Sequence, residues 1–467
     1  MAMNEKPSSG TLRAGLKKAL SFFHLKEGSF FYSYDREKLV SRGIIFLLLL
    51  IYISVTVYIF SQSGKIGISD SRKIKLVVAV PAGQETTKIY MELIKRFEVK
   101  NPDIKVELRD IAGNYYQKLL LMIVGNIGPD LMWMGQSFSE FADRGVFMDI
   151  SERLKTDKDI DLANYESTVV RWYTQDGHIY GIPYGIDLKF LAYNKKLFRK
   201  AGLAYPRDNW TYEDFLENAR KLTVVDKSGR ISRFGFRGRL DYSLFGAQVI
   251  SEDGKKILCN TPNMINYFKI NLELQQKWRV TPRPEDEQQQ GLDRYSYFSQ
   301  ERVAMMYFCT WDLFFIKTRF KDIDWDIVMN PKISKKTQWA SSQGIVIAKN
   351  TKYPDAAWKL AKIFLSRDFQ LAMSFECLPS DYRYAQEAVS LHTGKPENYP
   401  ILLKMMKLLS PIPRVPHLQE LFAGFNNVSS RVWNGLDTPE TAMTKLEQSL
   451  NRKLQKFKTL QQHTEEK

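Results

Sequence analysis

From residue 74 onward, apolar runs typical of strands alternate with apolar stripes at helical spacing. Residues 74–80 (IKLVVAV) form a continuous apolar run, as expected of a buried parallel strand. Residues 87–101 and 119–124 are predicted to be helical, and residues 104–108 to be a second strand. A Gly-Pro-Asp turn then leads into a third strand at residues 131–134. This strand–helix alternation predicts an α/β fold with a doubly wound sheet.

The most densely patterned stretch is residues 172–223. The turn signal Asp176-Gly177 lies between two extended runs and predicts a hairpin. A strand at residues 188–193 and a short helix at residues 195–201 follow. Capping side chains at residues 209–211 precede a helix whose apolar residues Phe215, Leu216, Ala219 and Leu222 share one face. These features alone indicate a mixed α/β segment.

Several motifs in this stretch occur in a particular order. They are DGxxYGxP (176–183), YNKxLFxKAGL (193–203) and NWTYEDFxxxAxKLT (209–223). The order resembles that of the family 1 extracellular solute-binding proteins, the receptors of ABC importers for sugars and glycerol phosphates. Residues 125–150 and 298–311 continue the resemblance, although Glu301 and Cys309 stand where glycines are common. Residues 432–450 fit the family's closing helix, and the resemblance covers residues 74–457.

The resemblance implies a two-lobed periplasmic-binding-protein fold (type II), in which each lobe is a mixed sheet flanked by helices. The chain would cross between lobes near Gly185, Asn330 and Pro379. Lobe 1 is then expected to hold residues 74–185 and 330–379. Lobe 2 is expected to hold residues 186–329 and 380–457, followed by a tail at 458–467.

The residues before this domain predict a membrane anchor. Residues 43–60 contain no charged side chain, and residues 43–62 are long enough to span a bilayer. Residues 1–42 are predicted to be a cytoplasmic, basic, amphipathic tail, and residues 63–73 a linker. A cleaved signal peptide is the alternative, because Ser61 and Ser63 are spaced like a cleavage site.

Flanking charge does not decide the orientation of this anchor, because basic residues lie on both sides of residues 43–62. The family resemblance places the large C-terminal domain on the extracytoplasmic side. We therefore expect a single-pass protein of the cell membrane, with its solute-binding domain in the periplasm or outside the cell.

Composition narrows the class of function. The net charge is +16 over 467 residues, but the basic residues are spread throughout and no nucleic-acid-binding motif occurs. The three cysteines (Cys259, Cys309, Cys377) lie far apart beside apolar residues, which favours buried thiols. Motifs of zinc proteases, serine hydrolases and nucleotide-binding loops do not occur, and the histidines are scattered. We expect no enzyme activity, metal or cofactor.

A sugar site requires aromatic faces for stacking and polar side chains for hydrogen bonds, placed at strand ends in a cleft. In maltose-binding proteins, which the chain resembles, an aromatic residue stands at the places of Trp133, Trp311 and Phe422, and an acid at that of Asp187. Gln84, Gln136 and Ser137 replace residues often charged there, which disfavours a maltodextrin ligand. The candidate ligand-binding residues are Gln84, Glu85, Trp133, Gln136, Ser137, Asp187, Arg239, Tyr242, Trp311, Asp312, Ser342, Gln343 and Phe422.

The sequence thus predicts a membrane-anchored solute receptor that binds a carbohydrate between two lobes and delivers it to ABC permease subunits. The expected partners are the carbohydrate, the permease and the membrane, and the protein is expected to be a monomer that binds no nucleic acid. An anionic ligand such as a glycerol phosphodiester, bound by Arg237 and Arg239, is the alternative within binding. A sensory co-receptor and an extracellular glycosidase stay open as other classes.

Overall fold

The structure, a computed structural model, describes residues 74–81, 83–334, 337, 340–410 and 418–465. These residues belong to a compact unit formed by residues 72–467. The predicted tail, membrane anchor and linker lie outside the described residues. Among the residues that are described, no helix combines the length and apolar character needed to cross a bilayer.

The longest strand of the described chain lies in the middle of the sheet. The strands are β1 (Ile74–Pro81), β2 (Ile104–Ile111), β3 (Leu131–Met134), β4 (Thr174–Gln175), β5 (His178–Ile179), β6 (Gly181–Asn194), β7 (Val224–Val225), β8 (Ile231–Arg237), β9 (Val303–Cys309), β10 (Trp325–Val328), β11 (Ala340–Ile347) and β12 (Leu378–Pro379).

The described α-helices cover both halves of this sheet. They are α1 (Gln84–Lys100), α2 (Tyr115–Val124), α3 (Phe138–Ala142), α4 (Ser151–Thr156), α5 (Ser167–Trp172), α6 (Lys195–Lys200), α7 (Tyr212–Leu222), α8 (Pro262–Leu272), α9 (Pro284–Gln290), α10 (Arg294–Ser299), α11 (Leu313–Arg319), α12 (Pro354–Ile363), α13 (Arg367–Ala372), α14 (Tyr382–Ser390), α15 (Ile401–Met406), α16 (Leu418–Trp433) and α17 (Pro439–Glu465). A π-helical turn, Glu273–Lys277, directly extends α8.

The sheet is mixed and is organised around β6. Its strands pair in the order β2, β1, β3, β11, β6, β9, β8, β7, and β10 and β12 also pair with β6. The pairs β1–β2, β1–β3 and β8–β9 are parallel, whereas β6 pairs antiparallel with β9 and β11. The 14-residue strand β6 therefore belongs to both halves of one continuous hydrogen-bonded ladder.

Separate clusters of buried side chains lie on the two sides of β6. One cluster lies among β1, α1 and α12 and includes Leu76, Tyr90 and Trp358. Another lies among α7, α8, α16 and α17 and includes Phe215 and Phe268. Burial of these apolar surfaces provides the main stabilisation of each half, because apolar burial contributes roughly 25 cal/mol per Å².

Most of the local predictions are confirmed. The strand at residues 131–134 has the predicted bounds, and the Asp176-Gly177 turn joins the hairpin strands β4 and β5. Thr211 caps α7 through a capping box with Asp214. The three cysteines are free and buried, as expected.

The largest differences from the predicted bounds occur in two elements. The strand predicted at residues 188–193 begins earlier, at Gly181, because the chain stays extended through Pro183 and Gly185. The closing helix predicted at residues 432–450 was wrong in its extent. α16 ends at Trp433, Gly435 takes a left-handed conformation (φ 69°), and a new helix begins at Pro439.

Candidate ligand-binding cleft

Asp187 lies near the middle of β6 and is only 4% exposed. Ser341 stands directly opposite it on β11, and the Ser341 hydroxyl donates to Asp187 Oδ2 at 2.9 Å. The Gln343 amide donates to Asp187 Oδ1 at 2.8 Å. Antiparallel pairing brings these side chains onto one face, because Ser341 and Gln343 are two residues apart on the same strand.

Further hydrogen bonds fix the orientation of Gln343. Its Oε1 accepts from the Tyr184 hydroxyl at 3.2 Å, and the hydroxyls of Tyr184 and Tyr90 lie 2.8 Å apart. These groups are buried, so each bond forms in a medium where an unpaired polar group is costly. The result is a continuous polar chain from α1, through β6, to the carboxylate of Asp187.

The electrostatics of this network are dominated by burial. Desolvation raises the pKa of Asp187 to about 7, although hydrogen bonds from Gln343 and Ser341 oppose this rise. The charge of a second carboxylate, Glu376, adds to the increase. Burial also raises the pKa of Glu376 to about 7, and its Oε2 has no hydrogen-bond partner among the described residues.

Glu376 reaches this region because it immediately precedes Cys377 and β12. β12 pairs with β6 at Ile186 and Gly185, next to Asp187. Glu376 was not among the residues predicted to bind ligand. Its proximity to the predicted lobe crossing at Pro379 was the available signal.

Aromatic side chains surround the same region. Trp133, at the end of β3, packs against Tyr115 and Tyr116, with ring centroids 5.7 and 5.9 Å apart respectively. Burial raises the pKa of Tyr116, and the charge of Asp187 contributes to this rise, which places the two side chains near each other. Trp172 donates from its indole to the Gly135 carbonyl at 3.0 Å. Tyr116 and Trp172 were not predicted as site residues.

Gly135 permits this close packing. A Cβ at this position would lie 2.8 Å from the Trp133 ring and 3.2 Å from the Ser342 carbonyl. Ser342 is itself 1% exposed, and its hydroxyl donates to the Gly185 carbonyl at 3.3 Å. The structure thus brings together four of the candidate residues, Trp133, Asp187, Ser342 and Gln343.

Trp311 approaches this group from the other half of the sheet. It lies in a 3-10 turn, Thr310–Asp312, directly after β9. The Leu188 backbone N–H donates to the Thr310 hydroxyl at 3.2 Å, so the turn is fixed beside Asp187. Trp311 is half-buried.

The neighbouring Asp312 has an internal role instead. It is 1% exposed and accepts from Arg294 at 2.8 Å, from the Tyr295 hydroxyl at 2.7 Å and from the Cys309 backbone at 2.8 Å. These contacts use both of its oxygens to hold the end of β9.

A hydrogen bond to Gln136 connects the two halves of the domain near Ser137. Gln419, in the first turn of α16, donates from its side chain to the Gln136 carbonyl. Phe422 follows three residues later on the same helix and therefore lies on the same face as Gln419. Ser137 is 8% exposed and precedes α3.

The remaining candidates lie elsewhere. Gln84 and Glu85 are at the start of α1, where Glu85 forms an ion pair with Lys88 at 2.8 Å. Tyr242 packs edge-to-face against Tyr267 and Phe425 in the second hydrophobic cluster. These positions do not join the Asp187 network.

The two arginines of the anionic alternative also lie apart from Asp187. Arg239 stacks on Trp433 at 4.7 Å, whereas Arg237 pairs with Glu287 at 2.8 Å. They line a separate cavity of about 220 Å³ with Thr281 and Gln275. Trp433 is eleven residues beyond Phe422 on α16, which corresponds to roughly 16 Å of helix.

Comparison with known families agrees with this architecture. The model of the bacterial extracellular solute-binding protein family matches residues 82–370. This chain belongs to that family. Its described part contains no cluster of three or more His, Cys, Asp or Glu side chains suited to a metal ion.

Individual relatives are distant in sequence. A Brucella abortus protein, described only as a binding protein, is 22% identical over 315 residues, which are 65% of this chain and 74% of the relative. The sn-glycerol-3-phosphate-binding periplasmic protein of Escherichia coli (strain K12) is 27% identical over 173 residues, or 33% of this chain and 36% of that protein.

Two solved structures illustrate the shared fold. An ABC substrate-binding protein from Listeria monocytogenes, in complex with cycloalternan, has a TM-score of 0.72 at 24% identity and covers 82% of this chain and 99% of its own. The maltose/maltodextrin-binding domain MalE from Bdellovibrio bacteriovorus, bound to maltotriose, has a TM-score of 0.64 at 21% identity and covers 82% and 100%. The fold of this solute-binding domain is therefore the fold of ABC solute-binding proteins.

Proposed function

We propose that this protein is a membrane-anchored extracytoplasmic receptor that binds a neutral carbohydrate above Asp187 and delivers it to an ABC permease. The observation that carries the choice of ligand is the pair of buried carboxylates, Asp187 and Glu376. In the described part of the chain, neither forms an ion pair with a lysine or arginine.

This pair of buried carboxylates favours ligands that donate from hydroxyl groups over anionic ligands. In its ionised form a desolvated carboxylate accepts strong hydrogen bonds from hydroxyl groups, whereas a phosphate placed beside it would meet like-charge repulsion. The nearby Trp133 and Trp311 offer aromatic faces to the C–H side of a sugar ring. The separation of Arg237 and Arg239 from these carboxylates further disfavours a glycerol phosphate in the cleft.

The structural relatives support this choice, because cycloalternan and maltotriose are carbohydrates. The mechanism that we propose is closure of two lobes around the ligand. Lobe 1 comprises residues 74–185 and 330–379, and lobe 2 comprises residues 186–329 and 380–457. The separation of the two main hydrophobic clusters along these boundaries supports the division. The receptor acts as a monomer and does not transform its ligand.

A ligand screen tests this function. The purified protein is melted in the presence of neutral oligosaccharides and, separately, of glycerol phosphates. Ligand that binds only the folded form raises the melting temperature by mass action. We expect a shift with at least one neutral sugar and loss of that shift in Trp311→Ala. A shift with glycerol phosphate that Trp311→Ala abolishes, or steady conversion of a sugar to product, contradicts the proposal.

A further inference from the structure

A second cavity, of about 620 Å³, opens on the far side of the domain from Trp311. Its lining includes Arg230, Arg279, Arg283 and Arg302, together with Asp286 and Gln290. This volume lies in the range of pockets that hold small organic ligands. Asp226 and Glu285 also line the cavity, so four arginines face three carboxylates and the lining carries one net positive charge, unlike the acidic surroundings of Asp187.

The position of Arg302 separates this cavity from the cleft. Arg302 immediately precedes β9, whereas Trp311 follows the 3-10 residue Thr310 just after the end of β9. The strand is seven residues long, which at about 3.3 Å per residue corresponds to roughly 23 Å. The cavity also includes Ser232, near the amino end of the parallel strand β8. It therefore lies at the edge of the sheet opposite the carboxyl ends that bound the cleft.

Two of the four arginines have their charge already compensated. Arg283 pairs with Asp286 at 3.1 Å and with Glu285 at 4.0 Å. Arg230 pairs with Asp226 at 3.5 Å. Arg279 and Arg302 form no ion pair with any described residue, and Arg302 donates only to the Ser232 carbonyl, at 3.4 Å. No carboxylate oxygen in the described chain comes within ion-pair distance of Arg279 or Arg302, although the charge of Arg279 contributes to lowering the pKa of Asp286.

A buried polar atom also lacks a partner here. Gln290 Oε1 is inaccessible to solvent and accepts no hydrogen bond within the described chain. Buried polar atoms of this kind are nearly always satisfied in native proteins, by protein, water or ligand. Gln290 lies at the end of α9, and its Oε1 can accept a hydrogen bond from a hydroxyl group of a phosphate ester but not from an ionised phosphate oxygen.

The backbone of Arg279 adds an independent observation. Arg279 has φ +47°, in the left-handed region, two residues after the π-helical turn Glu273–Lys277. Glycine or asparagine usually occupies this position after a helix, because other side chains are strained there. π-helical turns occur frequently at functional sites. An arginine therefore occupies a backbone conformation that favours glycine or asparagine.

We infer that this cavity is a second ligand site, which binds the oxyanion of a phosphate ester through Arg279 and Arg302. The planar guanidinium groups match phosphate oxygens in bidentate geometry. The ligand is either a free phosphate ester or a phosphate group carried by a polymer at the cell surface. The site does not depend on the carbohydrate specificity proposed for the cleft.

Calorimetric titration of the purified protein tests this site. Inorganic phosphate and a short-chain polyphosphate are the probes, each compared with chloride at matched ionic strength. We expect saturable binding that Arg279→Asn or Arg302→Gln weakens by about tenfold each, the usual effect of losing one charge-assisted contact. Much tighter binding of polyphosphate than of phosphate identifies a polymer as the source, and equal affinity per phosphate identifies a free ester.

Three controls separate the site from other causes. Arg452→Gln, on the exposed surface of α17, removes the same charge elsewhere and is expected to bind phosphate like the unmodified protein. Asparagine tolerates the left-handed backbone, so Arg279→Asn is expected to melt no lower than the unmodified protein. Asp187→Asn in the cleft is expected to leave phosphate binding unchanged.

The inference is overturned if phosphate binds no better than chloride, or if Arg452→Gln weakens binding as much as Arg279→Asn does. Failure of every sugar to bind would contradict the proposed function and leave this result unaffected.

Discussion

Replacement of Asp187 by Asn is expected to change how the stability of the protein depends on pH. Asn is nearly isosteric, and it can still accept the hydrogen bond from Gln343 while its own amide donates to the Ser341 hydroxyl. The substitution therefore removes the titrating proton while it retains the shape of the network. Any difference between the two proteins then reports mainly on the buried charge.

The magnitude follows from the pKa of Asp187, which burial raises from 3.8 to about 7. One pKa unit corresponds to about 1.36 kcal/mol, so ionising this group in the folded state costs up to about 4 kcal/mol. Because the pKa is higher in the folded than in the unfolded chain, the folded state binds the additional proton. The contribution of Asp187 to stability is therefore greatest below about pH 4 and is lost as the pH rises through about 7.

The assay is urea unfolding of both proteins at several pH values between about 4 and 8. We expect the free energy of unfolding of Asp187→Asn, relative to the unmodified protein, to increase by a few kcal/mol across this interval. Groups that titrate equally in both proteins cancel in this difference. Glu376→Gln provides a comparison, since burial raises the pKa of Glu376 in the same direction. A difference that stays constant with pH would show that Asp187 does not carry a buried, costly charge.

Three further outcomes are expected. Trp311→Ala should weaken sugar binding by over tenfold, or about 2 kcal/mol, in calorimetric titration with a near-native melt, whereas a collapsed melt would assign Trp311 to the core. Gly185→Ala should destabilise the protein by about 1–3 kcal/mol in urea unfolding, because the new Cβ would lie 2.3 Å from Cys377 Sγ. The second substitution Cys377→Ala should restore much of the lost stability. Absence of this rescue would refute the contact as the cause. The full-length protein should remain in the membrane fraction after carbonate washing with its N-terminus intact, and a mature chain beginning at Gly64 would instead indicate a cleaved signal.

The elements that the sequence predicted well are those specified by neighbouring residues. The Asp176-Gly177 turn and the Thr211 cap each depend on side chains within a few positions. β6 was harder to predict because Pro183 and Gly185 resemble strand breakers. The strand continues through them because its partner β11, more than 150 residues further along the chain, shifts register between Gln343 and Gly344. Residues 181–185 themselves carry no sequence signal for this register shift in β11.

The candidate site residues also divide into those that local motifs predict and those whose roles depend on contacts between distant segments. Trp133, Asp187 and Gln343 could be placed from the motifs that the chain shares with its family. Asp312 also resembled a ligand contact, but its contacts with Arg294 and Tyr295 appear only when distant segments fold together. Glu376 was missed for the converse reason, because its raised pKa results from burial by residues that are remote in sequence.

The register shift opposite Tyr184 connects bending of strand β6 with the hydrogen bonding of Asp187. Gln343 pairs with Gly185 and Gly344 with Pro183, so Tyr184 is an extra residue bulged out of the ladder. A strand bends most easily at such a point, and Tyr184 is also the residue that holds Gln343 against Asp187. Bending β6 there must displace the amide that hydrogen-bonds to the carboxylate. Bending of the sheet between its two halves would consequently change the pKa of Asp187.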